Sequence, residues 1–193
     1  MNQDRGLTEL LKLKGANLYQ LGYQLHGSVA AITQYLSTTW LWERVRVQGG
    51  AYGAFCPFDQ HSGMFSLASY RDPHIAATLK VFEGAADFLC SGNFDETDIK
   101  EAILQVCSEI DKPDPPGPAA RKAFYRRIIA LSDELRERFK QRLIGLSRRE
   151  VMTAAEQYFG GGLNQCSVAV IGSEEKLREA NAKLPEPLAL FKI

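Results

Sequence analysis

Apolar residues recur at three- and four-residue spacing from Val29 through Ile32 and Leu36 to Trp40, which predicts an amphipathic helix with one buried face. Gly27-Ser28 opens this helix with Ser28 as its N-cap. The pair Gly49-Gly50 closes it, since adjacent glycines stop helices and admit positive φ. Two aromatic-rich runs follow, Ala51 to Phe58 and Met64 to Tyr70, joined by Asp59-Gln60-His61-Ser62-Gly63. A five-residue, glycine-containing connection between such runs predicts an antiparallel hairpin. Leu13 to Tyr19 reads as a weaker strand. Asp72-Pro73 breaks the second hairpin strand and starts a helix reaching about Leu89, with Pro73 at its first position.

Asp95 caps a further helix over 93–110, whose Ile99, Ile103 and Val106 share a face. The stretch from Pro113 to Pro118 reads as a surface loop, neither helix nor inner strand. Helical stretches near 119–143 and 147–159 come next, with Ser132 and Ser147 as caps and Gly160-Gly161-Gly162 ending the last. Ser167 to Ile171 is a short buried strand, and Ser173 caps a terminal helix reaching Leu184. Four short strands among longer helices predict an α+β domain, a largely antiparallel sheet with helices packed on it.

At 193 residues, with 45% apolar and 24% charged positions, the chain suits one globular domain spanning 1–193. Basic and acidic residues balance at 23 each, so no global field points to nucleic acid or membrane. The balance is uneven locally. Residues 83–114 carry nine acids against two lysines, and residues 121–150 carry ten Lys or Arg against four acids. A basic helical face is usually solvated and paired with neighbouring acids, so the acidic block is its expected partner. Asp4, Arg5, Glu9, Lys12 and Lys14 interrupt any secretory apolar core near the start. Cys56, Cys90, Cys107 and Cys166 are irregularly spaced with no C-x-x-C, which fits reduced thiols of an intracellular protein.

Most catalytic patterns are missing. His26, His61 and His74 have no partners at metal spacing, and neither H-E-x-x-H nor H-x-x-E-H occurs. No G-x-S-x-G surrounds a serine, and the three consecutive glycines follow a helix instead of opening one. The informative stretch is Leu41-Trp42-Glu43-Arg44-Val45-Arg46-Val47-Gln48-Gly49-Gly50-Ala51-Tyr52-Gly53. A helix delivers Arg46 at its end, two glycines turn the chain, and Tyr52 heads a strand. On spacing alone, Arg46 serves equally well to complement the helix dipole, and Tyr52 as one more strand aromatic.

VRVQGGAYG after a Leu-Trp helix end resembles the C-terminal half of the insulinase (pitrilysin) family of zinc peptidases, in its presequence-protease branch. Phe55-Cys56, Phe58-Asp59, His61-Ser62-Gly63 and Ser69-Tyr70-Arg71-Asp72-Pro73 extend the resemblance. It continues more faintly through Asp87-Phe88-Leu89 and the closing strand and helix. The resemblance implies the last of four homologous domains, whose two halves enclose a chamber around unstructured peptide substrates. It further implies that zinc is bound by another domain in the N-terminal half of the same polypeptide, with no metal held by this chain. Arg46 and Tyr52 take the positions of an Arg and a Tyr that reach the bound peptide as catalytic residues. Gly49, Gly50 and Gly53 would let the substrate backbone approach. The resemblance leads us to expect that the chain lacks the strand–helix unit that opens such domains, and an uncovered chamber face and sheet edge would then give weak self-association. A non-catalytic scaffold or binding subunit of the same fold is the alternative.

Overall fold

The computed structural model describes residues 11–160 and 166–192. Among these, β1 (Leu11–Asn17), β2 (Gly53–Phe55), β3 (Met64–Tyr70) and β4 (Ser167–Ile171) form one sheet in the order β2-β3-β1-β4. Every neighbouring pair is antiparallel; Gly15 faces both Ser66 and Ser167, and Phe55 faces Ala68. Along β3 the large Phe65 and Leu67 belong to the core cluster, while the alternate positions Ser66 and Ala68, also buried, lie outside it. That alternation follows from the two-residue period of a strand.

Helix α1 (Ser28–Thr38) buries Val29, Ile32 and Leu36 completely. It packs on α3 (Glu96–Asp111) and α6 (Arg148–Tyr158), while α2 (Ile75–Cys90) lies against α6, α7 (Glu174–Asn181) and β1. Two expectations about α1 need correction. Its N-cap is Gly27 in the left-handed region, and Ser28 is the buried first helical residue. Ser28 Oγ instead pairs with His26 Nε2 at 3.4 Å. The helix also breaks at Thr39, then resumes at Trp40 and Leu41 and continues as a wider turn over Trp42–Val47 that ends before the glycines. Hydroxyls of Thr33, Ser37, Thr38 and Thr39 all bond carbonyls three or four residues back, a pattern that competes with the backbone ladder and bends helices.

Pro73 lies outside α2, whose N-cap is His74. Pro116 and Pro118 lie inside α4 (Pro116–Ile128), not in a loop. Proline is tolerated in a first turn, where the missing N–H would have had no intrahelical partner. Ala130, at positive φ, separates α4 from α5 (Asp133–Ile144). Asp95, Ser132, Ser147 and Ser173 cap their helices as their side chains suggest, Asp95 and Ser147 in reciprocal capping boxes. Gly161 and Gly162 lie outside the described residues. Lys122 pairs with Asp114 at 2.7 Å and Lys140 with Asp111 at 2.6 Å, so basic helices meet the acidic block that precedes them.

Cys56 is buried, and burial pushes its thiol well above the usual range. In the folded chain Cys56 should therefore resist iodoacetamide near neutral pH, and denaturant should expose it to full labelling. Peptide mass mapping showing rapid native modification at Cys56 would contradict this burial.

Candidate functional site

The site grows from the break after α1. Trp40 anchors the chain to α2: its indole N–H donates to the Val81 carbonyl at 2.9 Å, and its ring stacks on Phe88 with centroids 4.7 Å apart. From there Trp42–Val47 forms a π-helix, with the Gln48 amide reaching back to the Glu43 carbonyl. Such wide turns are rare and frequent at functional sites. Val45 is buried beneath the turn, while Trp42, Arg44 and Arg46 face solvent. Arg44 lies over the Trp40 ring at 4.1 Å and Arg46 over the Trp42 ring at 4.0 Å. Both guanidiniums are thus placed by cation–π contact, Arg46 with its tryptophan four residues earlier.

The turn out of this helix explains two of the three glycines. A Cβ on Gly49 would lie 2.6 Å from the Val45 carbonyl oxygen, and Gly50 holds φ at +72°. The amides of Gly50 and Ala51 then satisfy the carbonyls of Arg46 and Val45. Gly53 has no such demand, with open space where its side chain would be.

Tyr52 is 66% exposed at the head of β2. It meets Tyr70 edge-on, centroids 6.0 Å apart, and its amide donates to the Arg71 carbonyl at 3.2 Å. The Arg71 guanidinium sits 5.6 Å from the Tyr52 ring and 5.4 Å from the Tyr70 ring. Both expected side chains are therefore exposed, and the π-helix packs on β2. They are held by different partners, Arg46 by Trp42 and Tyr52 by Tyr70 and Arg71. The cavities of 580 and 600 Å³ are lined by other residues.

Beneath Arg71 lies a feature that sequence reading missed. Asp72 is 1% exposed, and one carboxylate oxygen accepts from Ser69 Oγ and Thr78 Oγ1, both at 2.7 Å. Its other oxygen accepts from the His74 amide at 2.9 Å. This knot ties the end of β3 to the first turn of α2. The Ser69-x-x-Asp72 spacing was the available signal, and Asp-Pro read simply as a strand breaker hid it.

The histidines occupy separate local roles. His26 packs on Tyr23, the ring of the exposed His61 meets Tyr125, and His74 stands at the N-cap position of α2 without a side-chain capping bond. Among the described residues no three His, Cys, Asp or Glu side chains converge as metal ligands, so this donor set does not fit a zinc centre.

The fold is that of a pitrilysin-type peptidase domain. It matches pitrilysin itself over 88% of this chain and 19% of that one, at 15% identity and a TM-score of 0.61. It also matches a peptidase M16 inactive domain from Pseudomonas fluorescens over 84% of this chain and 40% of that one, at 16% identity and a TM-score of 0.63. The family model for the PreP C-terminal domain matches residues 11–174, and the chain belongs to that family. Presequence protease 1, chloroplastic/mitochondrial, of Arabidopsis thaliana is 38% identical over 143 residues, 74% of this chain and 13% of the relative. The mitochondrial presequence protease of Mus musculus is 33% identical over 149 residues, 77% of this chain and 14% of the relative. The chain thus spans about one seventh of these curated relatives.

Proposed function

We propose that this chain is the C-terminal, zinc-free domain of a peptide-degrading zinc peptidase, to which it contributes Arg46 and Tyr52 as substrate-binding and transition-state-binding donors. The observation that carries the reading is the exposed, stacked placement of both side chains around a turn whose glycines the fold itself requires. A guanidinium fixed over a ring and a phenol on a strand head are preorganised donors for peptide carbonyls and for charge developing on them. The N-terminal half of the same polypeptide supplies the metal and closes over the substrate, an unstructured peptide. The compartments named for the presequence-protease relatives, mitochondrion and chloroplast, support an intracellular or organelle-matrix setting.

Deletion and add-back test this directly. The parent polypeptide truncated before this domain should lose cleavage of an unstructured fluorogenic peptide, and the chain alone should cleave none. Full cleavage by the truncated polypeptide would sink the reading and leave this chain as a scaffold.

A further inference from the structure

The Tyr52 ring is 66% exposed and meets Tyr70 edge-on, so the direction of its hydroxyl depends chiefly on where the backbone places its Cα. That backbone is tied across the sheet by the Tyr52 amide, which donates to the Arg71 carbonyl at 3.2 Å. The peptide carrying this carbonyl joins Arg71 to Asp72, and its pose is unusual. Arg71 holds φ at +49°, where a residue with a Cβ is uncommon and persists only if its surroundings enforce the conformation. Asp72 supplies that enforcement. Its buried carboxylate accepts from Ser69 Oγ and Thr78 Oγ1 at 2.7 Å and from the His74 amide at 2.9 Å. Ser69 belongs to β3 and Thr78 to the first turn of α2, so two rigid elements grip one carboxylate beside the strained residue. Removing one donor costs a buried carboxylate a bond that water cannot readily replace, and the backbone beside it shifts to compensate.

We propose that Asp72 is a positioning residue for Tyr52. Held by Ser69 and Thr78, it fixes the Arg71–Asp72 peptide, and through the Arg71 carbonyl it sets the Tyr52 hydroxyl against charge developing on the substrate. The inference rests on the reading of Tyr52 as a transition-state donor. The linkage runs through backbone and carboxylate and asks nothing of the Arg71 side chain. Its effect belongs in kcat, because a donor aimed at the transition state binds the ground state little.

The test is made at Thr78 in the assembled peptidase, where the carboxylate itself stays in place. Thr78→Val deletes the hydroxyl and keeps the branched shape, whereas Thr78→Ser keeps the hydroxyl and deletes the methyl. With an unstructured fluorogenic peptide, Thr78→Val should lower kcat on the order of tenfold, within the roughly 10²-fold that a 1 Å misplacement costs. KM should stay within about threefold, and Thr78→Ser should keep kcat within about threefold of wild type. A packing role reverses that order, and a serine variant slower than the valine variant, or full turnover with valine, overturns the inference. Combination with Tyr52→Phe reads the coupling. Once the hydroxyl is gone, Thr78→Val should remove less than about twofold more, and a full tenfold loss in the double variant also overturns the inference. Ser69→Ala carries the same cycle from the β3 side if valine at 78 impairs folding. Tyr52→Phe alone separates the two failures. If it slows turnover while the Thr78 and Ser69 changes are silent or additive, Asp72 alone is misassigned. If it changes nothing, the donor reading of Tyr52 falls and the positioning role with it.

Discussion

In the assembled peptidase, Tyr52→Phe is expected to lower kcat by about 10²–10³, the usual loss when one preorganised donor to a developing oxyanion is removed. The change deletes a single hydroxyl. Tyr52 is exposed, its ring contacts with Tyr70 and Arg71 use the aromatic body, and its amide bond to Arg71 is backbone. Phenylalanine keeps all three, so the melting temperature should not move. Arg46→Lys should also reduce kcat/KM. The guanidinium lies over Trp42, and an ammonium neither stacks as a plane nor offers the same fork. Steady-state kinetics with metal content measured alongside decide the matter. Full turnover by both variants at unchanged metal content would make the pair structural.

Much of the fold was legible because its signals are local. The hairpin over 51–70 follows from two aromatic runs and a short glycine-containing turn, and Asp59 tightens that turn by accepting from the His61 amide and the Ser62 hydroxyl. Those bonds hold its carboxyl below the ordinary carboxylate range. The caps at Asp95, Ser132, Ser147 and Ser173 needed nothing beyond one side chain and the next three amides. What failed was decided by competition. Trp40 sits at the spacing of the α1 face, yet the helix is interrupted at Thr39, where four hydroxyl-bearing residues bond carbonyls about a turn back. Proline read as a breaker started α4 three residues late, at 119, because Pro116 and Pro118 lie in the permitted first turn.

The site was legible in part, for a different reason. Arg46, the glycines and Tyr52 follow one another within a few positions, so a short motif holds them together. Arg71 and the buried Asp72 reach the same surface only through the pairing of β2 with β3, which sets Gly53 opposite Tyr70. The Ser69-x-x-Asp72 spacing hints at a local bond, but nothing in it tells that the carboxylate will be buried and will also accept from a threonine six residues on. The π-helix was likewise invisible, since no residue type or spacing within Trp42–Val47 signals a one-residue widening of a helix.

Alanine at each of the three glycines should separate turn from site. Gly49→Ala places a Cβ 2.6 Å from the Val45 carbonyl and 3.1 Å from that of Arg44. Both neighbours are backbone, so the π-helix must shift, at a cost of roughly 2–3 kcal/mol and a fall of several degrees in Tm. Arg46 moves with that turn, and peptide turnover should fall alongside stability. Gly50→Ala meets open space at φ +72°, which leaves the left-handed penalty of about 1–2 kcal/mol. Gly53→Ala meets neither a neighbour nor a positive φ, so its Tm should hold or rise by the small amount that a less flexible unfolded chain confers. A substrate backbone lying against β2 would touch the added methyl, and KM should then rise at constant Tm. Calorimetry on the purified chain and KM on the peptidase read the two effects separately. If Gly53→Ala keeps its KM, the peptide does not approach the chain there, and the glycines at 49 and 50 serve only to turn it from Arg46 to Tyr52.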